Sequence, residues 1–492
     1  MLGLWPLACG APADSEDPLG IDSGRETAPV EVELIADWPA DSLASEMASR
    51  SFYPEGAPWR FGWAVSATSE WMAISTASQD ERYAREFGRV WVAPVVDWTS
   101  GPVDWDGRFL IDGAFDLDGV HPWGRPYALT LALDPTGAPR LAVAHPDYRG
   151  GGYIGVLDVS MVATKPVDPW SADLQVYVRR NTAHPWGPLN LGINVRWLSS
   201  PQWGGRELVA TSGGGVYDAD DRRGRVFFVD PDLTGQFEYD VLGDAYVGHQ
   251  DWLLGYSLGT GGDADGDGEQ DLVVGEDADD VLTQIGCGVV YLMTEPPSGE
   301  VSLDDTPTQI FGEAVGDGAQ NGVIAPDVDG DGYDDLLIGA WTSPYGGERS
   351  GSVYLVPGST VGVHTVADVA TARFDGRPFD FAGRALVGVG DLDLDGYGEI
   401  AVSAPGDPYH PPDRPGSTLI WRGADAAGTL SPDRALILNG QEGGEQFGIT
   451  LVAPGDLDAD GIPDLLLGSP YADVGGRDSG GIWLLSGSTL GI

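Results

Sequence analysis

Four stretches of this chain alternate acids with other residues and then turn on a glycine: DADGDGEQD from residue 263, DVDGDGYDD from 327, DLDLDGYGE from 391 and DLDADGIPD from 456. In the pattern D-x-D-x-D-G-x-x-D, carboxylates at positions 1, 3 and 5 can converge on one point. The glycine at position 6 permits the tight turn, the carbonyl of position 7 adds an oxygen, and the acid at position 9 closes the shell. Oxygen-only shells suit Ca2+, whereas zinc draws on Cys or His. The six histidines show no pairing at metal spacing. The expected side-chain ligands are Asp263, Asp265, Asp267 and Asp271 in the first loop and Asp327, Asp329, Asp331 and Asp335 in the second. Asp391, Asp393, Asp395 and Glu399 serve the third loop, and Asp456, Asp458, Asp460 and Asp464 the fourth, with carbonyls from Glu269, Tyr333, Tyr397 and Ile462. Four Ca2+ sites are therefore expected, the third altered by the longer acid at position 9.

An EF-hand would need a bidentate Glu at position 12 and a helix after it. Position 12 is Val274, Ile338, Val402 and Leu467, each inside an apolar run that reads as a buried strand. The loop is thus expected at the tip of a β-hairpin. Crowded carboxylates repel one another without metal and attract it when it binds, so the ions are expected to act on stability.

The four loops start 64, 64 and 65 residues apart, which marks a repeated supersecondary unit. Each is followed by a second strand signal: GVVYLM, GSVYLV, GSTLIW and GIWLLS. Degenerate copies precede them at RELVATS (206), PRLAVAHP (139) and EWMAISTA (70), for seven in all. The 73 glycines and 36 prolines punctuate many short strands, and no long amphipathic helix pattern is present. Seven helix-free units of four strands favour radial closure, because an open array would expose edges. The fold expected is an all-β, seven-bladed β-propeller of four-stranded antiparallel blades, spanning residues 29–492. The calcium-loop blades cover about 247–492.

This organisation resembles the FG-GAP repeats of integrin alpha-subunit β-propellers and their bacterial relatives. Phe61-Gly62, Phe447-Gly448, the AP of SAPGDP, the SP of GSPYAD and the four Asp loops carry the resemblance. It implies seven blades and hairpin calcium loops. The chain ends on the third strand of blade seven, so an N-terminal strand should complete that blade and close the ring. Residues 49–53 (SRSFY) are expected there, with residues 30–35 (VEVELI) as the alternative.

A formal charge of −50 excludes electrostatic binding of nucleic acid or an anionic membrane and makes cations the natural partners. Residues 1–28 combine a short apolar run, Cys9 and an acidic Gly/Pro/Ser stretch. This start resembles a bacterial lipoprotein signal, with Cys9 as the lipidation site, although it lacks a basic leading segment. Plain secretion is the alternative. No other segment is apolar enough to span a membrane, so membrane contact is expected only through such an anchor. Cys287, in a strand pattern, reads as a small buried residue.

Residues 255–259 (GYSLG) match the G-x-S-x-G nucleophile pattern, which requires a strand, a sharp turn and a helix. Gly255 instead occupies the repeat register of Gly448, so Ser257 is not expected to be catalytic and no enzyme is expected. The loops joining second to third strands should gather on the face opposite the acidic hairpins. Tyr148, Arg149, Tyr217, Tyr345, Arg349, Tyr409, Arg414, Tyr471 and Arg477 lie in those loops and form a candidate ring for an extracellular protein or glycan ligand. The expected role is an extracellular recognition or adhesion module, monomeric and possessing calcium-stabilised blades. A hydrolase or lyase with its site in the central channel and a purely structural surface protein are the alternatives.

Overall fold

The computed structural model describes residues 286–407 and 414–491 continuously, most of residues 191–277 and, before those, chiefly the strands. Seven sheets form a ring of blades. Blade one comprises Phe61–Ala67, Trp71–Thr76, Arg89–Pro94 and Phe109–Asp112. Blade four comprises Leu253–Thr260, Leu272–Asp277, Val289–Met293 and Thr308–Phe311. Blade five repeats the plan with Ala319–Ala325, Asp335–Ala340, Ser352–Val356 and Ala372–Asp375. Blade six uses Leu386–Gly390, Glu399–Ala404, Ser417–Trp421 and Leu436–Asn439. Second and third strands in blades four to six are almost wholly buried, which is why their sequences are continuous apolar runs rather than alternating ones.

Blade seven takes three strands from the C-terminal end, Thr450–Gly455, Asp464–Ser469 and Gly481–Leu485. Its fourth is Arg50–Tyr53, antiparallel to the third with Phe52 opposite Ile482. The ring therefore closes through the segment expected from the repeat register; residues 30–35 lie outside the described residues. Closure is reinforced where the Thr450 hydroxyl donates to the Gly62 and Trp63 carbonyls, both at 3.2 Å, and Phe61 N donates to Ser479 O at 3.0 Å. Gly62 has φ +90°, and a Cβ there would lie 2.8 Å from Ile482 Cδ1 and 3.0 Å from Gly481 O. Only glycine fits that approach without strain.

The blades differ from a four-stranded plan in one respect. Six of the seven sheets carry a fifth, outer strand parallel to the fourth. In five of them it comes from the connection between third and fourth strands of the next blade, as where Gly362–Thr365 of blade five pairs with Thr308–Phe311 of blade four; in blade six it is Ser42–Leu43, from the segment before Arg50–Tyr53. Each such strand ties one blade to its neighbour.

Among the described residues the apolar core divides into seven clusters, each spanning one junction between adjacent blades. The junction of blades seven and one, for example, packs Leu466, Ile482 and Leu484 against Phe61, Met72 and Trp91. Cys287 is buried in the junction of blades three and four. No helix among the described residues is long and apolar enough to cross a membrane.

Candidate metal centres and the opposite face

The acidic stretches are the turns between first and second strands of blades four to seven. Val274, Ile338, Val402 and Leu467 lie inside second strands and are fully buried, so the turn feeds a strand rather than a helix. The turns share a hydrogen-bond plan. The first Asp accepts from the glycine N–H at position 6: Gly268 to Asp263 at 2.8 Å, Gly332 to Asp327 at 3.2 Å, Gly396 to Asp391 at 3.0 Å and Gly461 to Asp456 at 2.8 Å. The Asp at position 5 accepts the N–H of position 7, as Asp331 does from Tyr333 at 2.9 Å.

These turns bring three acids together, with one oxygen of each within 4.8 Å of the others. The groups are Asp263, Asp265 and Asp271; Asp327, Asp329 and Asp335; and Asp391, Asp393 and Glu399, which are positions 1, 3 and 9. In blade seven the group is Asp456, Asp458 and Asp460, positions 1, 3 and 5. Asp267, Asp331 and Asp395 stand outside their groups and are exposed, and Asp464 stands outside the fourth.

Position 9 separates the four. Asp271 and Asp335 are fully buried, and in each Oδ2 accepts two backbone N–H groups: Ala264 at 2.7 Å and Asp265 at 3.1 Å, and Val328 at 2.8 Å and Asp329 at 3.1 Å. Their Oδ1 atoms are buried with no hydrogen-bond partner among the described residues, as is Asp327 Oδ1. A buried, unpartnered carboxylate oxygen is costly unless a cation meets it, so oxygen-rich groups of this kind fit a hard cation such as Ca2+. Glu399 differs, because Oε2 accepts from Leu392 N and Oε1 from Gly423 N at 3.3 Å. Asp464 likewise accepts from Leu457 N at 2.7 Å and Gly487 N at 3.0 Å. Burial is the main cause that pushes the Asp271, Asp335 and Glu399 carboxyls up to about 7, with neighbouring loop aspartates adding to it, and it raises Asp464 as well. Burial disfavours the ionised form of each, and a cation in place of the proton would offset that cost.

Loops at the other end of the blades carry the aromatic and basic side chains. Tyr148, Arg149, Tyr217, Tyr409 and Cys9 lie outside the described residues. Tyr345 is exposed and its ring lies under the Arg373 guanidinium at 4.3 Å. Arg349 is exposed with Asp407 at 3.9 Å, and Arg477 projects into solvent beside Asp478 at 3.8 Å. Tyr471 is half-buried. Arg414 is buried, donating to Asp380 at 2.6 Å and to Pro378 O at 3.0 Å. Its guanidinium is committed within the chain to Asp380, whose other oxygen accepts from Arg377 Nε at 3.0 Å.

A second group on this face has no counterpart among the expected residues. The Arg384 guanidinium lies 5.5 Å from the Tyr256 ring and 5.2 Å from the Trp341 ring, and Trp341 also meets Phe381 at 5.8 Å. Three blades contribute to it. Tyr256 and Arg384 directly follow Gly255 and Gly383, the glycines of the repeat motif, which is the signal that could have found them. Ser257, by contrast, accepts from Gly322 N and donates to Gln320 O, both at 2.9 Å. It is buried in a strand and pins blade four to blade five.

The FG-GAP repeat family matches residues 320–356 and 448–485, each a run from first to third strand with its acidic turn. Integrin alpha-8 of Gallus gallus is 31% identical over 234 residues, covering 45% of this chain and 20% of that protein. Integrin alpha-PS2 of Drosophila melanogaster is 30% identical over 237 residues, covering 46% and 16%. The ring is an integrin alpha-like FG-GAP propeller. Integrin alpha-7 of Mus musculus aligns at 34% identity over 165 residues, covering 32% of this chain and 13% of that protein. The matched part of the chain spans a fifth or less of each relative's length. Among solved structures, the acylaminoacyl peptidase of Pyrococcus horikoshii covers 89% of this chain and 51% of its own at a TM-score of 0.37 and 9% identity, too weak a likeness to bear on the fold.

Proposed function

We propose that the propeller is a calcium-stabilised recognition or adhesion module that works outside the cell. Ca2+ in the hairpins of blades four to seven stiffens one face, and the opposite face binds a protein or glycan. The observation that carries the calcium half is the pair of fully buried Asp271 and Asp335 carboxylates, each with one oxygen unpartnered beside two other acids. Four ions would cancel eight of the fifty formal negative charges. Free Ca2+ a hundredfold above Kd would add about 2.7 kcal/mol of stability per site. Calcium sites of extracellular modules load at the Ca2+ levels found outside cells, which accords with that location. The relatives' integrin alpha names support adhesion, and the chain acts as a monomer without catalysis.

The ligand half rests on the Tyr256, Trp341, Phe381 and Arg384 group, with Tyr345, Arg349 and Arg477 in loops at the same end of the blades. Stacked aromatic rings around a cation present flat apolar area with polar edges, which suits peptide or sugar contacts. In this reading residues 1–28 are the leader and tether and residues 29–492 the ring. Extracellular-protein and glycan arrays probed with and without chelator test the reading. Retention that needs Ca2+ and falls in Arg384→Ala supports it; equal retention in chelator, or turnover of the retained molecule, counts against it.

A further inference from the structure

The eighth residue of each acidic turn differs, and it sets how that turn touches its neighbour. In blade five it is Asp334. Asp334 Oδ2 accepts from Asp263 N at 2.8 Å, and Oδ1 accepts from Asp327 N at 3.0 Å. One carboxylate therefore holds the backbone at the first position of two turns in two blades. The Asp334 N–H itself donates to Asp263 O at 3.0 Å. Beside it, the Tyr333 ring covers the blade-four turn so closely that a Cβ on Gly266 would lie 2.4 Å from it.

Blade six keeps part of this arrangement. Its eighth residue, Gly398, donates to Asp327 O at 3.0 Å, and a Cβ on Gly330 would lie 2.3 Å from the Tyr397 ring. Glycine has no carboxylate to bridge with, so only the backbone link and the ring contact remain. In blade seven the eighth residue is Pro463, which has no N–H to donate. Its ring only approaches Gly390, at 3.1 Å from the position of a Cβ. The links weaken in order from blades four and five, through five and six, to six and seven.

We propose that the turns of blades four, five and six bind divalent cations as one coupled unit, with Asp334 as the strongest link, whereas the blade-seven turn binds on its own. This rests on the cation-binding reading above. In an empty turn like charges converge, which opposes holding the ligands in one geometry. Once a cation orders the blade-five turn, Asp334 and Tyr333 are fixed, and they in turn fix Asp263 and Gly266. The next cation then meets a turn already in its binding geometry, which is positive coupling through order. Asp334 is a positioning residue, acting on the ligands through their backbone.

Hydrogen exchange read by mass spectrometry on the intact chain follows each turn separately during a Ca2+ titration. Residues 263–271 and 327–335 should gain protection over the same Ca2+ range. Asp335→Asn removes a ligand only from blade five, yet it should raise the midpoint of residues 263–271 about fivefold and leave residues 456–464 unmoved. In Asp334→Ala that effect should shrink to less than about twofold, and Asp334→Asn, which can keep one of the two bonds, should fall between. An unchanged blade-four midpoint in Asp335→Asn overturns the coupling while cation binding stands. If no turn gains protection with Ca2+, the cation reading falls and the coupling falls with it.

Discussion

Replacing Asp335 by Asn should change stability in opposite senses through two routes. The amide oxygen can still accept from Val328 N and Asp329 N, so the turn keeps its backbone contacts. Without metal, the carboxyl of Asp335 is raised from 3.8 to about 7 because the ionised form is buried. A folded-state value above the unfolded one means that the acid costs nothing at pH below about 4. Stability is then lost as pH climbs from about 4 to 7, reaching a plateau above it. The gap corresponds to about 4 kcal/mol for a fully buried group. In chelator at pH 8, Asp335→Asn should therefore be more stable than the parent chain by up to about 4 kcal/mol, and equal to it near pH 4. Adding Ca2+ to a hundredfold above Kd gives the parent about 2.7 kcal/mol at this site that the variant cannot gain. Denaturant unfolding of both chains in chelator and in Ca2+ measures the two differences. Equal Ca2+ responses would refute the assignment of Asp335 as a metal ligand, and a variant less stable in chelator at pH 8 would refute the cost of burying its ionised carboxylate.

Three other outcomes follow from the same geometry. Ca2+ affinity of the blade-four and blade-five turns should fall by roughly tenfold per pH unit below about 7, as protons compete for Asp271 and Asp335, readable by calorimetric titration. Glu399→Gln should lose less Ca2+-dependent stability than Asp335→Asn, because both Glu399 oxygens already accept backbone bonds. Gly62→Ala should cost about 1–3 kcal/mol by placing a side chain at φ +90° against Ile482, and limited proteolysis should then release the segment containing Arg50–Tyr53 first.

The long apolar second and third strands were legible because burial on both faces leaves runs such as LLIGA and VYLV unbroken. The closing strand was legible too, since a ring built from a regular repeat must borrow its missing strand from the other end. The outer strands were not. Gly101–Pro102 and Gly428–Thr429 are two residues long, and they exist only through pairing with a neighbouring blade. Acids at positions 1, 3 and 9 stood out by spacing, whereas position 8 is a free position in that pattern, and what Asp334 does depends on a turn 71 residues away in sequence. Arg414 looked available because its partner Asp380 lies 34 residues before it. Tyr256, Trp341, Phe381 and Arg384 escaped notice because they assemble from three blades.

Native mass spectrometry of the intact chain, dialysed against Ca2+ and sprayed at neutral pH, tests the central claim most directly. The parent chain should retain up to four Ca2+ ions, and Asp335→Asn one fewer. A parent chain that retains no Ca2+, or an Asp335→Asn chain that retains as many as the parent, would contradict it.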